Sequence, residues 1–279
     1  MLFDIKYYCV LGKEKVMKKA LISLFAVFMM TIPASAATFK AADRVQPVGE
    51  ALLTKNGISI QNVKFTVVSG DVNNSNFATN RVVNISSADL AYTGNDNEVA
   101  AVVANELGHI ITGHASKGKV VSLLKGDNTQ DNSAASTIAQ NYQSTKEEKE
   151  ADVVAVNLIS NAGYNPLAII VVLTKQTGTY WEVLQGKPAN ADRAMNVYDY
   201  TAYAYPAKLK AGYSCNEYKN FLTYANTVLA DRKTNKKAQA KLDKELQKYR
   251  KNSVSQISKF KTRGGLSGWD AAYGLLNAQ

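Results

Sequence analysis

Six apolar residues, Val99, Val102, Val103, Leu107, Ile110 and Ile111, recur in steps of three and four, with two adjacent pairs, between Asn97 and Ser116. That spacing marks one face of an α-helix rather than the alternation of a strand. A face so apolar has to be covered by the rest of a core. At its centre, however, the segment reads Asn105-Glu106-Leu107-Gly108-His109. A carboxylate and an imidazole in a covered helix are costly unless partnered.

The rest of the chain is mostly helical in pattern. Ala41–Thr54 reads as an amphipathic helix ended by Asn56-Gly57. Ile58–Val68 and Arg81–Ser86 read as strands, from their β-branched content and the Gly/Asn-rich break between them. Ala134–Asn161 reads as a long helix closed by Ala162-Gly163, where glycine fits a left-handed cap. Leu167–Thr177, Ala191–Tyr200, Cys215–Asp231 and Lys236–Phe260 complete the helices. The expected class is α+β, a mainly helical core with a small β-sheet and a helical C-terminal extension. Hydrophobic residues at 46% and charged ones at 20% suit such a core and exclude global disorder.

The first 36 residues are expected to be removed. Met17-Lys18-Lys19, the apolar run Ala20–Ile32 and Pro33-Ala34-Ser35-Ala36 have the charged start, apolar stretch and small-residue site of a secretory signal peptide. The run spans only about 20 Å, short of the ~30 Å hydrocarbon core of a bilayer. Residues 1–16 read as sequence upstream of a true start at Met17. Cleavage after Ala36 makes the protein periplasmic or extracellular. Cys9 leaves with the leader, so Cys215 is the single thiol, expected to be buried, and no disulfide framework exists.

Zinc peptidases use H-E-x-x-H on a helix because residues four apart share a face. Two imidazoles then reach one ion, and the glutamate between them polarises the bound water. Glu106 and His109 have that spacing, but Asn105 stands at the first histidine position. Other landmarks lie on both sides. Asn76-Phe77-Ala78 precedes the strand Val82–Ser86. Glu148 and Asp152 make an E-x-x-x-D step in a helix closed by Ala162-Gly163-Tyr164-Asn165-Pro166. Lys187-Pro188 then leads to Arg193. Over residues 40–205 the chain resembles the gluzincins of peptidase family M48, the HtpX-like and CAAX prenyl protease group of zinc metallopeptidases.

The resemblance implies that His109 is a zinc ligand and Glu148 the third protein ligand. It makes Glu106 the general base, Asp152 an outer partner that orients a ligand, and Arg193 a positioning residue near the cleft. It also implies histidines where Asn105 and Lys187 stand. An asparagine amide oxygen is a hard, weak donor, better suited to calcium or magnesium than to zinc. Lys187 either supplies the positive charge that zinc supplies in the family or is a solvated loop residue. The one other histidine, His114, is about 140° round the helix from His109 and is expected to face away.

Two functional classes follow. A degenerate peptidase keeps the cleft as a binding site for polypeptide, with zinc weak or absent and no cleavage. A working metalloendopeptidase tolerates Asn105 with a weakened or altered metal site.

The formal charge of +10 is unevenly spread, with a net −3 over Ala37–Tyr205 and a net +10 over Pro206–Gln279. The lysine-rich helix near the C-terminus either lies on an anionic membrane surface or is a solvated face of a helix packed on its own core. Nucleic acid is not an expected partner, since basic and aromatic residues do not interleave. The expected organisation is a signal segment over 1–36, a metallopeptidase-like domain over 37–205 and a basic helical extension over 206–279.

Overall fold

The apolar face of the central segment is buried as its spacing requires, but the helix stops early. It runs Asp96–Thr112, started by Asn95, whose side chain accepts from the Glu98 amide, and ended by Gly113 at φ 71°. The structure, a computed structural model, describes residues 39–70, 72–114, 116–117, 134–176, 178 and 189–278, with the backbone alone for 134–144. The expected signal segment, Cys9 and Lys187-Pro188 lie outside the described residues. Lys40–Gln279 forms one compact unit.

In chain order the elements are α1 (Ala41–Lys55), β1 (Lys64–Val68), α2 (Phe77–Asn80), β2 (Val82–Ser86), α3 (Ser87–Leu90), α4 (Asp96–Thr112), α5 (Ala134–Ala162), α6 (Ala168–Lys175), α7 (Ala191–Ala204), α8 (Pro206–Ala211), α9 (Asn216–Thr234), α10 (Lys236–Thr262) and α11 (Gly268–Asn277). The class is α+β and mainly helical. β1 and β2 form a parallel pair with Phe65 opposite Val83 and Val67 opposite Ile85. The strand expected over Ile58–Val68 survives only in its last five residues. Asn62 takes φ 61° in a turn that Val63 N–H closes on the Ile60 carbonyl, and a left-handed residue cannot continue a strand.

Helix α4 is the centre of the core. Val99, Val103, Ala104 and Leu107 on it are fully buried, and α5 and α1 pack against it and against each other. Gly108 sets the closeness of α4 and α5. A Cβ there would lie 2.5 Å from the Ala151 carbonyl oxygen on α5, so any side chain would force the two helices apart. Helices α6 and α7 cover the other side of the core, and α10 packs on α5. Leu246, Ser253 and Phe260 are the buried residues of α10. The single described thiol, Cys215, is partly buried rather than enclosed, because its sulfur caps α9 by accepting from the Tyr218 amide at 3.4 Å. No helix among the described residues is long and apolar enough to cross a membrane.

Candidate active-site cleft

Helices α4, α5 and α7 bring Asn105, Glu106, His109, Glu148, Asp152 and Arg193 to one cleft of about 190 Å³. On α4, Asn105 and His109 are four apart and share a face; on α5, Glu148 and Asp152 do the same. Val102, Ile169, Val172 and Leu173 give the cleft an apolar wall. All the site residues expected from the sequence are thus assembled, save Lys187, which lies outside the described residues.

Asp152 is the hub of the polar side and has no solvent exposure. Arg193 grips it with two bonds, Nε to Oδ2 at 2.8 Å and an Nη to Oδ1 at 2.7 Å. The Asn105 amide also donates to Oδ1, at 2.9 Å. Arg193 reaches Glu148 Oε2 as well, at 2.9 Å, and His109 Nε2 stands 3.3 Å from Glu148 Oε1. The positive charge beside the carboxylates, which the sequence offered to Lys187, is held among the described residues by Arg193.

These contacts set opposite protonation tendencies. Burial alone would raise the Glu148 carboxyl, but the His109 hydrogen bond and the Arg193 charge outweigh it and bring it down to about 2. Its stabilising contribution is present above the ordinary glutamate pKa of 4.5 and is lost as pH falls toward 2. His109 is raised above 6.5. Burial opposes this, but the hydrogen bond and charge of Glu148 prevail, helped by Glu106 and Asp152. Its contribution is full below 6.5 and is lost as pH rises through the raised value.

Glu106 behaves differently. Burial pushes its carboxyl up to about 7, against the opposing pull of His109 and of a hydrogen bond from Asn74. The ionised form is the costly one, so native stability falls as pH rises from 4.5 to about 7. Glu106→Gln, neutral throughout, is expected to stabilise the metal-free protein by roughly 1–3 kcal/mol at about pH 8 and to change little at about pH 4. Thermal denaturation of both proteins at the two pH values checks this. An equal effect at both would contradict it.

Two residues stand elsewhere than the sequence suggests. His114 does not face away. Helix α4 ends at Gly113, whose left-handed backbone turns the chain back, and His114 Nδ1 comes to 3.1 Å from His109 Nδ1. The two rings meet edge to face, His114 is buried, and Glu150 lies 3.5 Å from its Nε2. The second residue is Asn74, which the sequence reading passes over in favour of Asn76. Its Nδ2 donates to Glu106 Oε2 at 2.8 Å and to the Asn84 carbonyl at 3.1 Å, while its Oδ1 accepts from the Asn84 amide at 2.7 Å. Asn74 thus ties Glu106 to β2. The Asn73-Asn74 pair ahead of that strand is the one trace of it in the sequence.

The donors do not fit a catalytic zinc, which takes three protein ligands and an open position. His109 and Glu148 face each other, but no group of three His, Cys, Asp or Glu is placed to hold a metal ion among the described residues. Asn105, where the family resemblance implies a histidine, has its amide nitrogen turned to Asp152.

The model of Peptidase family M48 matches residues 40–201. Among curated proteins, Metalloprotease LoiP of Escherichia coli (strain K12) is 27% identical over 180 residues, a match covering 57% of this chain and 69% of that protein. No solved structure gives a significant match.

Proposed function

The chain belongs to peptidase family M48, a family of zinc metallopeptidases, and on that premise we propose that it is a pseudo-peptidase. It holds extended or unfolded polypeptide in the family's cleft without cleaving it, with zinc weak or absent. The observation that carries this reading is the Asn105 amide bonded to Asp152 at 2.9 Å. It keeps the bond that orients the first ligand and lacks the nitrogen that would reach a metal. The apolar wall of Val102, Ile169, Val172 and Leu173 offers a seat for a client side chain. With the leader expected at 1–36, the client is a polypeptide encountered after export.

A second reading rests on Glu106, whose carboxyl near 7 has the proton affinity of a general base at neutral pH. On that reading the protein is a metalloendopeptidase with an altered metal site. Labelled unfolded casein distinguishes the two, followed by fluorescence anisotropy for binding and by gel for cleavage. The pseudo-peptidase reading expects binding with the casein intact, for the natural protein and for Glu106→Gln alike. Cleavage that disappears in Glu106→Gln would establish the second reading, and failure to bind would sink the first.

A further inference from the structure

Five of the fifteen basic residues between Pro206 and Gln279 lie on one face of α10. Lys237, Lys241, Lys244, Lys248 and Lys251 follow one another by alternating steps of four and three, which keeps them in a single stripe along the helix. The stripe runs for about 21 Å. All five lysines are exposed. The buried face of the helix, with Leu246, Ser253 and Phe260, lies on the other side of the wheel.

Three further features narrow what this stripe fits. The lysine ion pairs of the described residues lie elsewhere, on Lys117, Lys146 and Lys175. Neither acidic residue of α10 falls within the stripe, and Asp243 is bonded by the Gln239 side chain at 2.9 Å. Near its start, Lys237, Lys241 and Lys244 line a surface groove together with Ala238 and Ala240. A straight, single-signed row without an aromatic anchor reads the density of negative charge rather than the shape of a partner. The apolar face of α10 is spent on the protein's own core, so it has nothing to insert.

We propose that the lysine stripe of α10 docks this protein on an anionic phospholipid surface, by charge and without insertion. Each lysine held near such a surface contributes about 1 kcal/mol, or roughly fivefold in the partition coefficient. The interaction falls off over a Debye length and weakens with salt.

Co-sedimentation of the chain without its expected leader, residues 37–279, with vesicles tests this. One set of vesicles is phosphatidylglycerol and phosphatidylcholine in equal parts, and the other is phosphatidylcholine alone. The natural protein is expected to sediment with the anionic vesicles at low salt, to be released by added salt, and to ignore the neutral ones. The combined variant Lys241→Gln, Lys244→Gln, Lys248→Gln should partition roughly a hundredfold less. A control variant of the same net charge, Lys40→Gln, Lys55→Gln, Lys64→Gln, alters exposed lysines elsewhere and should bind like the natural chain. The proposal is overturned if the stripe variant binds undiminished, if the control loses as much, if neutral vesicles bind equally, or if the natural protein stays in the supernatant. Capture of acidic protein or nucleic acid without vesicle binding would likewise overturn it.

Discussion

Arg193→Ala is expected to destabilise the protein by roughly 3–5 kcal/mol, lowering its thermal midpoint on the order of 10 °C. The cause is what the substitution leaves behind. Asp152 has no solvent exposure and receives two of its bonds from Arg193. Without the guanidinium, the Asn105 amide would be the one hydrogen-bond donor left to that buried carboxylate among the described residues. Glu148 would lose a partner as well. Burial would lower the guanidinium pKa, but the Asp152 charge and hydrogen bonds raise it, so Arg193 stays protonated. Adding Asp152→Asn to Arg193→Ala removes the stranded charge and should recover a good part of the loss. Chemical denaturation of the single and double variants measures both effects. A loss below about 1 kcal/mol would mean that Arg193 acts as a surface ion pair does.

Asn105→His is expected to create a zinc site where the natural chain has a hydrogen bond. The Cγ and Nδ2 atoms of asparagine correspond to the Cγ and Nδ1 of histidine. The natural amide donates to Asp152 at 2.9 Å, and an imidazole in its place keeps that bond through Nδ1–H. Its Nε2 is then free to join His109 Nε2 and Glu148 Oε1, already 3.3 Å apart. That gives three protein ligands, one of them oriented by a buried carboxylate. Zinc at a hundred times the dissociation constant should stabilise the variant by about 2.7 kcal/mol and leave the natural protein unmoved. Thermal scans with and without zinc give the comparison. A variant indifferent to zinc would mean that the hold of Arg193 on Glu148 is a second obstacle.

Those expectations draw on features that differ in how far the sequence announces them. The site helix was legible because one period governs Val99 to Ile111, and Glu148 and Asp152 share a face of α5 at a spacing of four. His114 was not. Its position depends on Gly113: the helix expected over Asn97–Ser116 runs through it, although a glycine after an apolar run is a stop signal. One left-handed residue turned an imidazole expected outside into a partner of His109. The partial loss of the first strand has a similar cause, since Asn62 rather than a β-branched residue decides where it begins. Asn74 was illegible for another reason. Its three bonds join a loop, a strand and a helix, and no local period records contacts of that kind. Arg193 was placed near the cleft only through the family resemblance, and its double grip on Asp152 emerged from the packing of α7 against α5.

The zinc content of the natural protein, purified without chelator and dialysed against metal-free buffer, bears most directly on the reading of the cleft. Two facing ligands and an amide should leave the chain nearly empty, with far less than one zinc per molecule, while Asn105→His prepared in parallel retains about one. A natural protein that keeps about one zinc per chain through dialysis would contradict the account, because Asn105 would then be part of a working metal site.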